Sequence, residues 1–255
     1  MYKKGKNRVT MKISIRHRYV EKIPVLEVVA EELKSQPLPL VVYYHGWQSA
    51  KELSLTQARK LAQTGIRVIL PDAMNHGERK TGPISTIPSI TFWSSIQYNI
   101  IEFAVLIRYF DKLKLIRENQ IGVGGVSMGG ITTCCLLTQH PEIKVAACLM
   151  GTPYPGRYIE RVVKKAGEMQ LFIPHDLPLL LSWVHDYDLS EAPEKLANRP
   201  VLFWHGTEDQ KIDFRDMADF QKLVTGQAYA GQTRFLTGEG EGHLVQGSLM
   251  DIVAD

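Results

Sequence analysis

Three residues whose types could share one proton relay stand far apart in this chain: a serine in GVGGVSMGG (122–130), an aspartate in HGTED (205–209) and a histidine in GEGEGHLVQ (238–246). A serine hydroxyl is a poor nucleophile until an imidazole takes its proton, and a carboxylate holds the imidazole in the productive tautomer. Ser127 has the most distinctive surroundings. It lies in G-x-S-x-G with Gly125 and Gly129, directly after an apolar run and directly before ITTCCLL. Where a buried strand turns sharply into a helix, such a serine is lifted clear of the sheet, and flanking glycines relieve the crowding around it.

Other glycine-rich loops fail on their own requirements. A dinucleotide fingerprint counted from Gly122 and Gly124 needs glycine where Ser127 stands, and a phosphate-binding P-loop needs Lys followed by Ser or Thr after its second spaced glycine. Neither pattern occurs. The strand-to-helix turn also supplies an electrostatic device, because the Met128 backbone N–H opens the helix, where unpaired donors and the helix dipole favour a developing oxyanion. A second donor is expected from YYHGWQSAK, at the backbone N–H of Trp47 following Gly46. His45 in that segment is read as holding the loop by a hydrogen bond rather than as the base.

In this arrangement the acid and the base follow the serine in chain order, each on a loop at the carboxyl end of a sheet. Of eight histidines, only His243 lies beyond the last strand-like segment, and its glycine neighbours let the loop fold back over Ser127. The acid is expected after RPVLFWHG, where Asp209 is the first choice and Glu208 and Asp213 are the alternatives. Glu239 and Glu241 are read as solvated loop charges.

The elements that must position these groups are legible as an alternation. KISIRHRYV and PVLEVVA suit an opening antiparallel pair. PLPLVVYYHG, LSLTQARKLAQTG and IRVILPDA read as strand, helix and strand, the unit of a parallel sheet. After the loop MNHGERKTGPISTIPSIT, the segment FWSSIQYNIIEFAVLIRYFDKLKLI has apolar residues at helical spacing throughout and predicts one long helix. QIGVGGV, MGGITTCCLLTQH and IKVAACLMG continue the pattern, as do RPVLFWHG, DFRDMADFQKLVTG, GQTRFLTG and the closing helix HLVQGSLMDIVAD. Residues 151–199 break it with short helical pieces and scattered prolines, and they predict a small lid inserted in one α/β domain spanning 1–255.

Together, strand-HG, PDxxxHG, GGVSMGG, HGTED and the late GH resemble the α/β-hydrolase superfamily, in particular small bacterial carboxylesterases of the dienelactone-hydrolase and prolyl-oligopeptidase-like branch. The likeness runs from the first HG strand to the end, with the lid poorly matched. It implies an α/β-hydrolase fold with a mostly parallel central sheet flanked by helices, and Ser127, Asp209 and His243 as a catalytic triad acting on a small-molecule ester. Dienelactone hydrolases proper carry cysteine at the nucleophile position, so the serine here argues against that activity. A peptidase or acyl-thioesterase using the same triad, and a non-catalytic binding protein on the same fold, are the rival readings.

Composition sets the outer bounds. With 255 residues, 44% hydrophobic and 22% charged, the chain has the make-up of an ordinary folded protein. A net charge of +3, much of it in MYKKGKNRVTMK, is too small to predict a nucleic-acid partner. That basic segment reads as a frayed arm, and Met11 rather than Met1 could be the native start. No signal-like or membrane-spanning stretch is apparent, which predicts a cytoplasmic protein that does not bind membranes. Three cysteines, two of them adjacent, show neither disulfide nor metal spacing, and the expected chemistry needs no cofactor or metal. LFIPHDLPLLLSWV is apolar enough to line an acyl pocket, shield the site or form a homodimer contact. Arg79 reads as a partner in a surface salt bridge before a contact to an acidic substrate group, and Trp47, Phe92, Trp93 and Trp183 as candidates for a pocket wall.

Overall fold

Eight strands hydrogen-bond in the order β1-β2-β4-β3-β5-β6-β7-β8, with β1 Ile13–Val20, β2 Ile23–Ala30, β3 Leu38–Tyr44, β4 Arg67–Pro71, β5 Ile116–Val126, β6 Ile143–Leu149, β7 Val201–Gly206 and β8 Thr233–Gly238. The structure is a computed structural model and describes residues 11–84 and 88–254, so Met1 and most of the basic arm lie outside the described residues. β2 pairs antiparallel with both neighbours and all the remaining pairs are parallel, so β2 alone runs against the sheet. The helices are α1 Leu55–Ala62, α2 Ile90–Lys112, α3 Met128–Gln139, α4 Pro155–Glu168, α5 Leu177–Leu180, α6 Phe214–Val224 and α7 Leu249–Ala254.

The two-residue period of β3 explains why the sheet is covered on both faces. Leu40, Val42 and Tyr44 pack with residues of α2, α3 and α6 on one side, whereas Tyr43 packs with α1 and α7 on the other. α2 buries the adjacent Phe92 and Trp93 and then Ile96, Ile100, Phe103, Leu106 and Phe110 at intervals of three and four residues, and each such side chain contributes about 1.5–3 kcal/mol on removal from water. It is also the one helix among the described residues long and apolar enough to cross a membrane by length and composition, and it lies against the sheet. Cys134, Cys135 and Cys148 are unpaired and buried in the core, as small apolar side chains are.

Two predicted boundaries move. Helical spacing carries through LKLI, but α2 stops at Lys112, Lys114 adopts φ +54, and Ile116 pairs with Leu38 of β3. The closing helix covers only Leu249–Ala254, because the residues from His243 onward form the loop that reaches back to the sheet. Between β6 and β7, the chain forms α4, α5 and two 3-10 turns. This segment is tied to α6 where Arg161 of α4 makes two bonds to the fully buried Asp216, at 2.6 and 2.8 Å.

In an open parallel sheet the crevice forms at the carboxyl ends of the strands, where the chain's direction of travel across the sheet reverses. Here that point lies at β3 and β5. β4 is added on one side of β3, and the chain then crosses back to lay β5 on the other.

Candidate active site

The turn from β5 into α3 holds Ser127 at φ +58 and ψ −116, a left-handed conformation that a non-glycine residue adopts only when its surroundings impose it. Those surroundings leave no room for side chains beside it. A Cβ on Gly125 would sit 2.5 Å from the Gly129 carbonyl carbon, and one on Gly129 would run into the Tyr44 carbonyl at the end of β3. The Ser127 N–H donates to the Leu149 carbonyl of β6 at 2.8 Å, which anchors the turn to the sheet. Met128 opens α3, so its N–H belongs to the helix's first turn.

The loop after β8 brings His243 over this turn. Its Nε2 is 2.8 Å from Ser127 Oγ, and its Nδ1 is 2.6 Å from Asp209 Oδ2. A carboxylate only accepts, so Nδ1 carries the ring proton and Nε2 is left to accept from the serine hydroxyl. Asp209, its side chain fully buried, is held at both oxygens. Oδ1 accepts the Lys211 and Ile212 N–H groups at 2.8 and 3.0 Å, and Oδ2 faces His205 Nε2 at 3.0 Å as well as His243. Burial alone would raise the Asp209 carboxyl, but the hydrogen bonds from His205 and His243 outweigh it and hold the group well below the usual carboxylate range. Beside Ser127 runs the loop after β3, where a Cβ on Gly46 would lie 3.5 Å from Ser127 Cβ and 4.0 Å from Oγ.

Residues 39–166 match the sequence pattern of the alpha/beta hydrolase fold family. This chain belongs to that family. It is 37% identical over 220 residues to YitV of Bacillus subtilis (strain 168), a protein provisionally named an esterase, covering 83% of this chain and 84% of that protein. It is 29% identical over 230 residues to the esterase YjfP of Escherichia coli (strain K12), covering 88% and 89% of the two chains. Among solved structures, TT1662 from Thermus thermophilus shares the fold at a TM-score of 0.75 and 18% identity, with 96% of each chain covered.

Within this hydrolase, the other residues singled out from the sequence separate clearly. Glu208 is exposed, and Asp213 caps α6 by accepting the Arg215 N–H at 2.9 Å. His45 holds the loop as expected, with Nδ1 donating to the Gly46 carbonyl at 2.8 Å and Nε2 accepting the Ala73 N–H at 3.1 Å. Burial pushes its imidazole down to about 4. Arg79 pairs with both carboxylate oxygens of Glu102 at 2.7 Å, so the predicted ion pair forms, but largely buried rather than at the surface. Trp47 packs edge-on against Phe92 at 5.2 Å, and Phe92 meets Trp93 and Tyr158 of α4, so these rings form one cluster. Trp183 packs instead with Tyr187 in the segment between β6 and β7.

Sequence reasoning assigned no role to His205, His76, Asp72 or Lys51. A signal was present for two of them. Three His-Gly dipeptides, at 45–46, 76–77 and 205–206, stand where the chain leaves or follows a strand, and all three imidazoles are buried.

Proposed function

We propose that this hydrolase cleaves carboxylic esters of small or short-chain acyl groups, with Ser127 as nucleophile, His243 as general base and acid, and Asp209 as the carboxylate that orients His243. The observation that carries the proposal is the unbroken line of hydrogen-bond distances from Ser127 Oγ through His243 to Asp209. The esterase names of both curated relatives point the same way.

Ser127 Oγ attacks the ester carbonyl as His243 Nε2 takes its proton, and the Met128 and Trp47 N–H groups hold the oxyanion of the tetrahedral intermediate. His243 then gives the proton to the departing alcohol, leaving an acyl group on Ser127. Water attacks that acyl-enzyme with the same imidazole as base, which releases the acid and restores the serine hydroxyl. In this reading the cluster of Trp47, Phe92, Trp93 and Tyr158 rings forms the wall of the acyl site. In the same reading, residues 151–199 act as a lid on a single cytoplasmic domain.

Purified protein is expected to hydrolyse p-nitrophenyl acetate and to be labelled covalently by a fluorophosphonate. Ser127→Ala should remove the label and lower kcat by about 10⁶-fold. A Ser127→Ala variant of full activity overturns the proposal, and faster turnover of acyl-thioesters or aminoacyl amides than of esters moves the substrate class.

A further inference from the structure

The backbone beside Ser127 is held from behind by a second loop. Residues 45–51 follow β3, residues 72–79 follow β4, and backbone N–H groups bind side chains from one segment to the other. Ala73 N–H donates to His45 Nε2 at 3.1 Å, Lys51 N–H to Asp72 Oδ1 at 3.0 Å, and Gln48 N–H to His76 Nε2 at 3.2 Å. Asp72 adds Lys51 Nζ at 2.7 Å and the Glu78 N–H at 3.0 Å, so the far end of the tie is a buried ion pair.

The Gln48 bond holds the residue that directly follows Trp47, the proposed second oxyanion donor. A backbone amide can only donate, so His76 Nε2 bears no proton. The proton is on Nδ1, which donates to the Met74 carbonyl at 2.9 Å. His76 is fully buried, and its ring sits edge-on to the Trp47 indole with centroids 4.9 Å apart. Gln48 itself adopts φ +58, a conformation that costs a non-glycine residue about 1–2 kcal/mol and persists only where the surroundings hold it.

We propose that His76 is a positioning residue of the oxyanion loop: its unprotonated Nε2, accepting the Gln48 N–H, fixes the turn that aims the Trp47 N–H at the carbonyl oxygen of an ester on Ser127. The inference rests on the serine-esterase reading above. An oxyanion donor acts in the transition state far more than in the ground state, so a loosened loop lowers kcat and leaves KM nearly unchanged.

The test compares His76→Leu, which fills the volume but accepts nothing, with His76→Gln, whose side-chain oxygen reaches about as far as Nε2. Steady-state hydrolysis of p-nitrophenyl acetate is measured on the full chain, with thermal unfolding and fluorophosphonate labelling of Ser127 as controls. Loss of one oxyanion donor costs about 10²–10³ in kcat, so a mispositioned one is expected to cost about 10- to 100-fold in His76→Leu, with KM within about twofold. His76→Gln should restore most of kcat. A folded, Ser127-labelled His76→Leu with unchanged kcat overturns the inference alone, as does an equal loss in both variants. If His76→Leu does not fold, His76→Gln decides: near-normal kcat supports the inference, and a tenfold or larger loss overturns it. Absence of label on Ser127 in the unsubstituted chain overturns the serine-esterase reading and this inference with it.

Discussion

Replacing Asp209 by Asn changes one atom's chemistry and almost nothing of shape, which makes it the sharpest probe of the proposed relay. Two backbone N–H groups, from Lys211 and Ile212, point at Oδ1 at 2.8 and 3.0 Å, so the amide oxygen of Asn must take that side. The NH₂ group then occupies the Oδ2 position, 2.6 Å from His243 Nδ1 and 3.0 Å from His205 Nε2. An NH₂ only donates, so His243 must present a bare Nδ1 and carry its proton on Nε2, facing Ser127. In that tautomer the imidazole cannot take the serine proton. The loss expected is about 10⁴-fold in kcat, the size known for making the triad aspartate of a serine protease asparagine, or about 5.5 kcal/mol of barrier. His205 also loses an acceptor for its Nε2–H, though the Ile212 carbonyl at 2.8 Å remains, so the fold should survive. Hydrolysis of p-nitrophenyl acetate, with thermal unfolding as the control, reads the result. A folded Asp209→Asn within tenfold of the unsubstituted rate refutes the reasoning and moves the acid to Glu208 or Asp213.

Two further expectations follow from packing and from titration. Gly129→Ala drives a Cβ into the backbone of Tyr44, which cannot rotate away, so α3 must shift against β3. The expected loss is about 1–3 kcal/mol or more in a denaturant titration, with activity falling further than stability. The second concerns His45, held by burial at about 4 against an unfolded value near 6.5. Between those values the unfolded chain binds a proton that the folded chain refuses, so stability falls as pH is lowered through that window. His45 contributes about 2 kcal/mol of that loss between pH 7 and pH 5, and His76, also lowered by burial, adds in the same direction. Urea unfolding at the two pH values measures it, and a His45→Gln variant that keeps the whole pH dependence would count against this origin.

Most of the parallel strands were legible because they are short apolar runs closed by glycine or proline, and because strands and helices alternate. The two misplaced boundaries share a physical cause. Helical periodicity runs through LKLI without a local stop, and only the pairing of Ile116 with Leu38 across the sheet decides that it is strand. Likewise HLVQGSLMDIVAD looks helical until His243 is drawn to Asp209 and Ser127, which removes the residues after it from any helix. In the candidate site, Ser127, Asp209 and His243 could be found because each stands in a strand-end loop in a fixed chain order. The bond between His76 and Gln48 could not, since it joins two loops 28 residues apart and neither residue type predicts it.

The four histidines around the site differ in duty because of what their ring nitrogens face. His45 and His76 each receive a backbone N–H on Nε2, a proton that the amide does not surrender, so both are confined to the neutral form and to holding loops. His205 Nε2 faces only acceptors, the Ile212 carbonyl and the Asp209 carboxylate, so it must donate and helps keep Asp209 ionised. His243 alone has one nitrogen on a carboxylate and the other on a hydroxyl, whose proton an attacking oxygen gives up as it bonds to a carbonyl carbon. Its side chain also keeps 13% of its surface exposed, whereas His45, His76 and His205 are buried. Residue type and chain order nominate the base, but the partners of each ring decide among the candidates, and here they leave one.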